Sequence, residues 1–375
     1  MTGIPAHPAA APAGRPLPGG EGKIGRRGAI LGSFFGAMTV SSVIPEPEFE
    51  AARSWAFFKR KFLAPDGRVV DTGNQGISHS EGQGYGMFFA AHAEDRPSFE
   101  LIADWTHRHL QRRDDALHCW RYDPNSEMPV ADTNSATDGD IVIAWALQRA
   151  AAQWRVPAWR QRAIAIAQDV LRRCVLEVGD RLVLLPGASG FLDRQGVMLN
   201  LSYYVFPALA ELSMLVPGPQ WKRLVADGRA LIHESRFGRW GLPADWISLP
   251  RSGIGRVTLA PTRPPRFSYD AVRVPLFLAW GGWRDDAVLT AAASFWMDPE
   301  HERFPAWTDL RSNVISPYPA DAGIRAVAFL SAVVASGSQR EPRLPLPWQA
   351  QKYYDTALCY LAHLAWAEAR LQRVA

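Results

Sequence analysis

Cysteine is scarce: 3 in 375 residues, with Cys119, Cys174 and Cys359 far apart and no C-x-x-C spacing. That excludes a thiolate zinc site and a disulfide framework, leaving room for one bridge at most. A block of Lys and Arg is also missing, although 41 basic residues against 37 acidic give a net charge of +4. Without a basic stripe, no nucleic-acid partner is expected. The sequence holds no H-E-x-x-H, no P-loop and no G-x-S-x-G, so no metal, nucleotide or prosthetic group is signalled as a cofactor. Alternation of period two is rare, and no unit recurs at fixed spacing, which weakens a solenoid.

What is present is apolar and aromatic. With 47% hydrophobic and 21% charged residues the chain can bury a large core, as one big domain or two ordinary ones. Fifteen Trp, 9 Tyr and 17 Phe supply flat rings for core packing and for stacking against sugar faces. The first 45 residues read as an export segment, and residues 46–375 as one catalytic domain. A Pro/Ala/Gly-rich stretch leads to Lys23-Ile24-Gly25-Arg26-Arg27 and then to the moderately apolar residues 28–40. This order fits an export signal, and the arginine pair raises the twin-arginine route, to the periplasm or outside the cell. A membrane anchor is the alternative, but the stretch is short and Gly-rich for a span. No other stretch is long and apolar enough to cross a bilayer, so the mature protein is expected to have no membrane span.

Eleven windows accept helical periodicity: 46–62, 81–93, 99–112, 138–154, 158–174, 203–215, 220–234, 270–280, 285–296, 320–334 and 350–371. From Asp138 onward, Ile143, Leu147, Ala150, Ala151 and Trp154 fall on one helix face. The expected fold is all-α, with helical hairpins closed into a ring and an open bundle as the alternative. Pro/Gly-rich connections such as 185–190 and 261–265 are long enough to wall a cleft.

Three acids sit at turn-to-helix junctions. Glu81 lies in Ser80-Glu81-Gly82-Gln83-Gly84-Tyr85-Gly86-Met87, Asp138 in Ala136-Thr137-Asp138-Gly139-Asp140, and Asp270 in Ser268-Tyr269-Asp270-Ala271-Val272-Arg273. Each has a plain explanation. Ser80 would cap a helix with Glu81 complementing its dipole, Thr137 and Asp140 would form a capping box, and Asp270 with Arg273 would be a structural pair. Capping does not account for three glycines in one first turn, each costing about 1 kcal/mol against alanine. G-x-G-x-G lacks dinucleotide-loop spacing, and no apolar strand precedes it. The functional reading is a carboxylate active site in which Glu81 is approached closely, Asp138 accepts sugar hydroxyls, and Arg273 keeps Asp270 ionised as a base requires.

These strings resemble glycoside hydrolase family 8. Asn74-Gln75-Gly76-Ile77-Ser78-His79 followed by Ser80–Met87, then Ala136–Leu147, then Tyr269–Arg273, match its motifs in order. Asn200-Leu201-Ser202-Tyr203-Tyr204, Pro243-Ala244-Asp245-Trp246 and Tyr353-Tyr354-Asp355 are similar to the endoglucanases that accompany bacterial cellulose synthases. Gln75 and Leu201 depart from the expected Gly and Pro. The resemblance implies an (α/α)6 barrel that hydrolyses β-1,4-glucan with inversion, Glu81 being general acid, Asp270 general base and Asp138 a sugar ligand. The two acids would stand about 6.5–9.5 Å apart. Trp120, Tyr203, Tyr269 and Arg273 are the further substrate-binding candidates. A glucan is the expected partner, with a cellulose synthase complex a second. A chitosanase, a xylanase or a weakly catalytic glucan-binding protein are the alternatives.

Overall fold

The computed structural model describes residues 49–374 apart from 195. The expected export signal lies outside the described residues. Among these there are eleven α-helices: α1 Ala51–Phe62, α2 Ser80–His92, α3 Arg96–Leu110, α4 Thr137–Trp154, α5 Pro157–Asp169, α6 Phe206–Leu215, α7 Pro219–Glu234, α8 Arg273–Trp280, α9 Ala287–Trp296, α10 Ala322–Ala335 and α11 Tyr353–Val374. Each overlaps one of the eleven windows, with ends displaced by up to five residues. Residues 170–174 continue α5 as a π turn, and residues 201–203 form a 3-10 turn before α6.

The helices form an (α/α)6 barrel. α2 and α8 are apolar almost all round and accordingly buried on nearly every face. α1, α3 and α7 are amphipathic and keep a polar side in water. One end of the inner ring is closed by Arg149 of α4, paired with Glu211 of α6 at 2.6 Å and with Glu368 of α11, which also accepts the Trp280 indole N–H at 2.8 Å. Phe88 of α2 packs on Trp145 at 4.2 Å, and Trp145 meets Trp280 edge-on at 5.3 Å. Phe88, Arg149, Trp280 and Glu368 lie toward the C-terminal ends of their helices. The inner helices α2, α4, α8 and α11 therefore run side by side in one direction, with their N-termini together at the opposite end. A helix N-terminus carries unpaired N–H groups and about half a positive charge, so that end favours carboxylates.

The glycines follow from this packing. A Cβ on Gly84 would lie 3.0 Å from Val142 Cγ1 and 3.1 Å from the Ile143 nitrogen; one on Gly139 would lie 2.7 Å from the Glu81 nitrogen. Gly84 and Gly139 thus let α2 and α4 touch backbone to backbone. At Gly84 the close approach is between helices, where the glycines beside Glu81 were expected to admit a ligand.

The all-α expectation misses four small antiparallel sheets in the connections. Residues 78–79 pair with 121–122, 175–178 with 181–184, 196–199 with 247–250 and then 258–259, and 266–267 with 308–309. Two of them lead straight into Glu81 and Asp270. They are too short to show a period-two pattern.

Candidate active site

At the N-terminal end of the inner ring, the guanidinium of Arg273 gathers all three acids. Its Nη1 donates to Glu81 Oε1 and to Asp138 Oδ2 at 3.1 Å; its Nη2 donates to Asp270 Oδ1 at 3.1 Å and to the Ser202 hydroxyl at 3.0 Å. These side chains are nearly closed off from bulk solvent, with Glu81, Asp138, Asp270 and Arg273 at 3, 1, 5 and 1% exposure. A buried cation with three buried acids is an imbalance that ordinary structural pairing does not need.

Local folding pairs Asp270 with Arg273 as expected, while the caps at Glu81 and Asp138 differ from those expected. Ser80 does not cap α2. His79 does, its Nδ1 accepting the Gly82 N–H at 3.0 Å, because the extended strand 78–79 leaves His79 as the last non-helical residue. Thr137 and Asp140 form no capping box either. Thr137 donates to the Leu185 carbonyl, while Asp140 accepts the backbone and ring N–H groups of His118 at 2.8 and 2.9 Å. Asp138 accepts the Gly139 N–H at 2.8 Å in the first turn of α4. Asp270 precedes α8, whose first residue is Arg273, with Pro275 tolerated in the first turn. Its second oxygen accepts the Trp246 indole N–H at 3.1 Å.

The electrostatics reverse one expectation. Burial pushes Asp270 well above the usual carboxylate range, and the negative charges of Asp245 and Asp138 push it further. Burial outweighs Arg273, because its one guanidinium is divided among three acids. Asp138 is pushed up to about 7 by burial, with the Asp140 charge adding to it.

Among the aromatic candidates, Tyr203 lies against Arg273, its ring centre 5.9 Å from the guanidinium carbon. Trp120 and Tyr203 line a small cleft together with Trp246, Phe191, Asn134 and Pro186. The rings of Phe191 and Trp246 are parallel, with centres 6.1 Å apart. Tyr269 stands elsewhere, in a group with Tyr354 and Tyr318; its hydroxyl is 3.4 Å from that of Tyr318. Sequence reasoning missed Asp245, Trp246, Phe191, Ser202 and the pair of His79 with Asp71, whose Oδ2 is 3.4 Å from His79 Nε2. The strings holding Asp245, Trp246 and Ser202 were visible, but no spacing rule ties them to Asp270. Among the described residues, no group of His, Cys, Asp and Glu is placed to hold a metal ion.

Carboxyls gathered on one guanidinium, with a cleft of flat rings reached through Tyr203 and Trp246, are what cutting a sugar-to-sugar bond asks for. Set at one end of a barrel of paired helices, they define a glycoside hydrolase. The chain belongs to Glycosyl hydrolases family 8, whose profile matches residues 33–367. It is similar to a probable endoglucanase from Novacetimonas hansenii, at 42% identity over 91% of this chain and 98% of that one. An endoglucanase from Cellulomonas uda is 35% identical over 80% of this chain and 83% of its own. The solved structure of the endo-beta-1,4-glucanase CMCax from Acetobacter xylinum superposes with a TM-score of 0.80 at 43% identity, covering 85% of this chain and 98% of that one.

Proposed function

We propose that this protein is an endo-acting β-1,4-glucanase that cleaves cellulose-type glucan with inversion at the anomeric carbon. The observation that carries this reading is the junction of Glu81, Asp138 and Asp270 on one buried Arg273, taken with relatives named as endoglucanases over nearly the whole chain. Glu81 is the general acid and protonates the leaving oxygen. Asp270 is the general base and takes a proton from the water that attacks the opposite face of the sugar. Each turnover leaves Asp270 protonated and Glu81 ionised, so one proton must pass back before the next.

Asp138, which shares Arg273 Nη1 with Glu81, accepts hydroxyls of the ring being cut, while Arg273 fixes all three carboxyls in register. Tyr203 closes the floor beneath that ring. Trp120, Trp246 and Phe191 offer faces along which the chain of sugars lies. Tyr269, next to Asp270 in the chain and grouped with Tyr354 and Tyr318, serves the leaving portion. Export before action and a place beside a cellulose synthase complex, where a glucanase trims nascent glucan, extend the reading. They are supported by Arg26-Arg27 with residues 28–40 and by the subgroup strings at 200–204, 243–246 and 353–355.

Reducing-end release from carboxymethyl cellulose, chitosan and xylan by wild type and Glu81→Gln tests the reading. Release from the cellulose derivative alone, lost in the variant, is the expected result. Preference for chitosan or xylan refutes the substrate, and near-normal turnover by Glu81→Gln refutes the acid.

A further inference from the structure

We infer that His79 and Asp71 are positioning residues that present Oε2 of Glu81 as the proton-carrying oxygen, an inference that rests on the reading of Glu81 as the general acid. The two oxygens of Glu81 are not equivalent. Oε1 takes the Arg273 guanidinium, while Oε2 lies 3.7 Å from His79 Nδ1. A guanidinium only donates, so Oε1 must accept, and a proton on this carboxyl resides on Oε2.

The imidazole beside Oε2 is fixed in one tautomer. Its Nδ1 accepts the Gly82 N–H at 3.0 Å and therefore carries no proton, which places the ring proton on Nε2, facing Asp71 Oδ2 at 3.4 Å. The ring is buried and held edge-on by Tyr353, with centres 5.5 Å apart. Asp71 is held by a tight turn, accepting the Gly73 N–H at 2.9 Å on its side chain and those of Asn74 and Gly76 on its carbonyl. Gln75 in that turn adopts φ 55°, the left-handed conformation for which glycine is the usual choice.

Together these contacts keep a donor away from Oε2. In the other tautomer, Nδ1–H would meet the Gly82 N–H and break the cap, leaving Oε2, 3.7 Å away, as the nearby acceptor for it and so giving Oε2 a partner other than the leaving oxygen. Asp71 prevents this by facing the Nε2–H as its acceptor, as outer carboxylates commonly orient imidazoles. His79 thus has two separable tasks, capping α2 and flanking Oε2. An asparagine can cap but offers no ring.

The test uses the full-length enzyme as wild type, His79→Asn, Asp71→Ala, the double variant and Glu81→Gln. Each is assayed on carboxymethyl cellulose and on 2,4-dinitrophenyl β-cellobioside, whose phenolate departs without protonation. His79→Asn should lower kcat on the polymer about ten-fold with KM nearly unchanged, and lose far less on the dinitrophenyl glycoside. Asp71→Ala should follow in the same direction, and the double variant should be no worse than His79→Asn. Equal losses on both substrates, losses that multiply in the double variant, or an unchanged kcat overturn the inference. If circular dichroism shows His79→Asn unfolded, Asp71→Ala, which leaves the helix cap in place, decides by the same comparison. Glu81→Gln separates the two readings. Equal loss on both substrates by that variant refutes Glu81 as acid, whereas a leaving-group-selective Glu81→Gln beside an indifferent His79→Asn refutes the positioning pair alone.

Discussion

The side chain of Asp245 accepts the backbone N–H of Ala271 at 2.8 Å, one residue beyond Asp270. It also takes the N–H of Ser268 at 2.9 Å and that residue's hydroxyl, so a single buried carboxyl shapes the loop that carries the base. Its charge is among the forces that raise Asp270. Asp245→Asn keeps an acceptor but removes that charge, so the Asp270 carboxyl should ionise more readily. The acid limb of kcat/KM should move to lower pH, with a loss of stability of about 1–3 kcal/mol from the N–H and hydroxyl donors left poorly paired. A pH–rate profile and a urea melt check both.

In the wild type the same reasoning gives the position of that limb. Burial and the neighbouring charges raise Asp270, and a base must be ionised to work. The acid limb of kcat/KM should therefore lie above the ordinary carboxylate range of about 4. A limb at or below that value would show that Arg273 outweighs burial after all.

Asp138 should cost stability at neutral and alkaline pH. Its folded pKa of about 7 exceeds the unfolded value, so the folded chain binds the proton more tightly, and its contribution is full below about 4 and lost as pH rises through 7. Relative to wild type, Asp138→Asn should therefore gain stability as pH rises from about 4 to about 8, the direction set by the raised carboxyl. It should be nearly inactive at both. Thermal melts at the two pH values read the sign directly.

Much of this was legible beforehand, and the limits have physical causes. Helix windows were readable because inner and outer helices differ in how far round they are apolar, as in α2 against α7. The three acids stood out because glycine, Thr-Asp-Gly-Asp and Tyr-Asp-Ala-Val-Arg junctions concentrate polar groups beside apolar runs. Caps were misassigned because strand 78–79 and the Leu185 carbonyl compete for groups that local rules give to Ser80 and Thr137. Asp245 and Trp246 were not assigned to the site because their link to Asp270 spans more than twenty residues of loop. The raised state of Asp270 was out of reach, since it depends on how many acids share one cation.

Helix contact at the glycines has its own consequence. Gly139→Ala drives a methyl to within 2.7 Å of the Glu81 nitrogen, and backbone cannot yield there as a flexible side chain would. The expected result is a destabilisation of about 1–3 kcal/mol with a fall in kcat, because α2 and α4 move apart and Glu81 moves with them. Gly84→Ala meets Val142 at 3.0 Å and gains helix propensity of about 1 kcal/mol, so its net effect should be smaller. Denaturant midpoints of the two variants, measured beside their turnover, order them.

The most direct measurement of the central claim is the anomeric configuration of newly formed reducing ends, followed by proton NMR in the first minutes of cellopentaose hydrolysis. With Glu81 as acid and Asp270 activating water across a gap of about 6.5–9.5 Å, α-anomer should appear first and then mutarotate. Initial accumulation of β-anomer would mean a covalent intermediate and would contradict the assignment of Asp270 as a base.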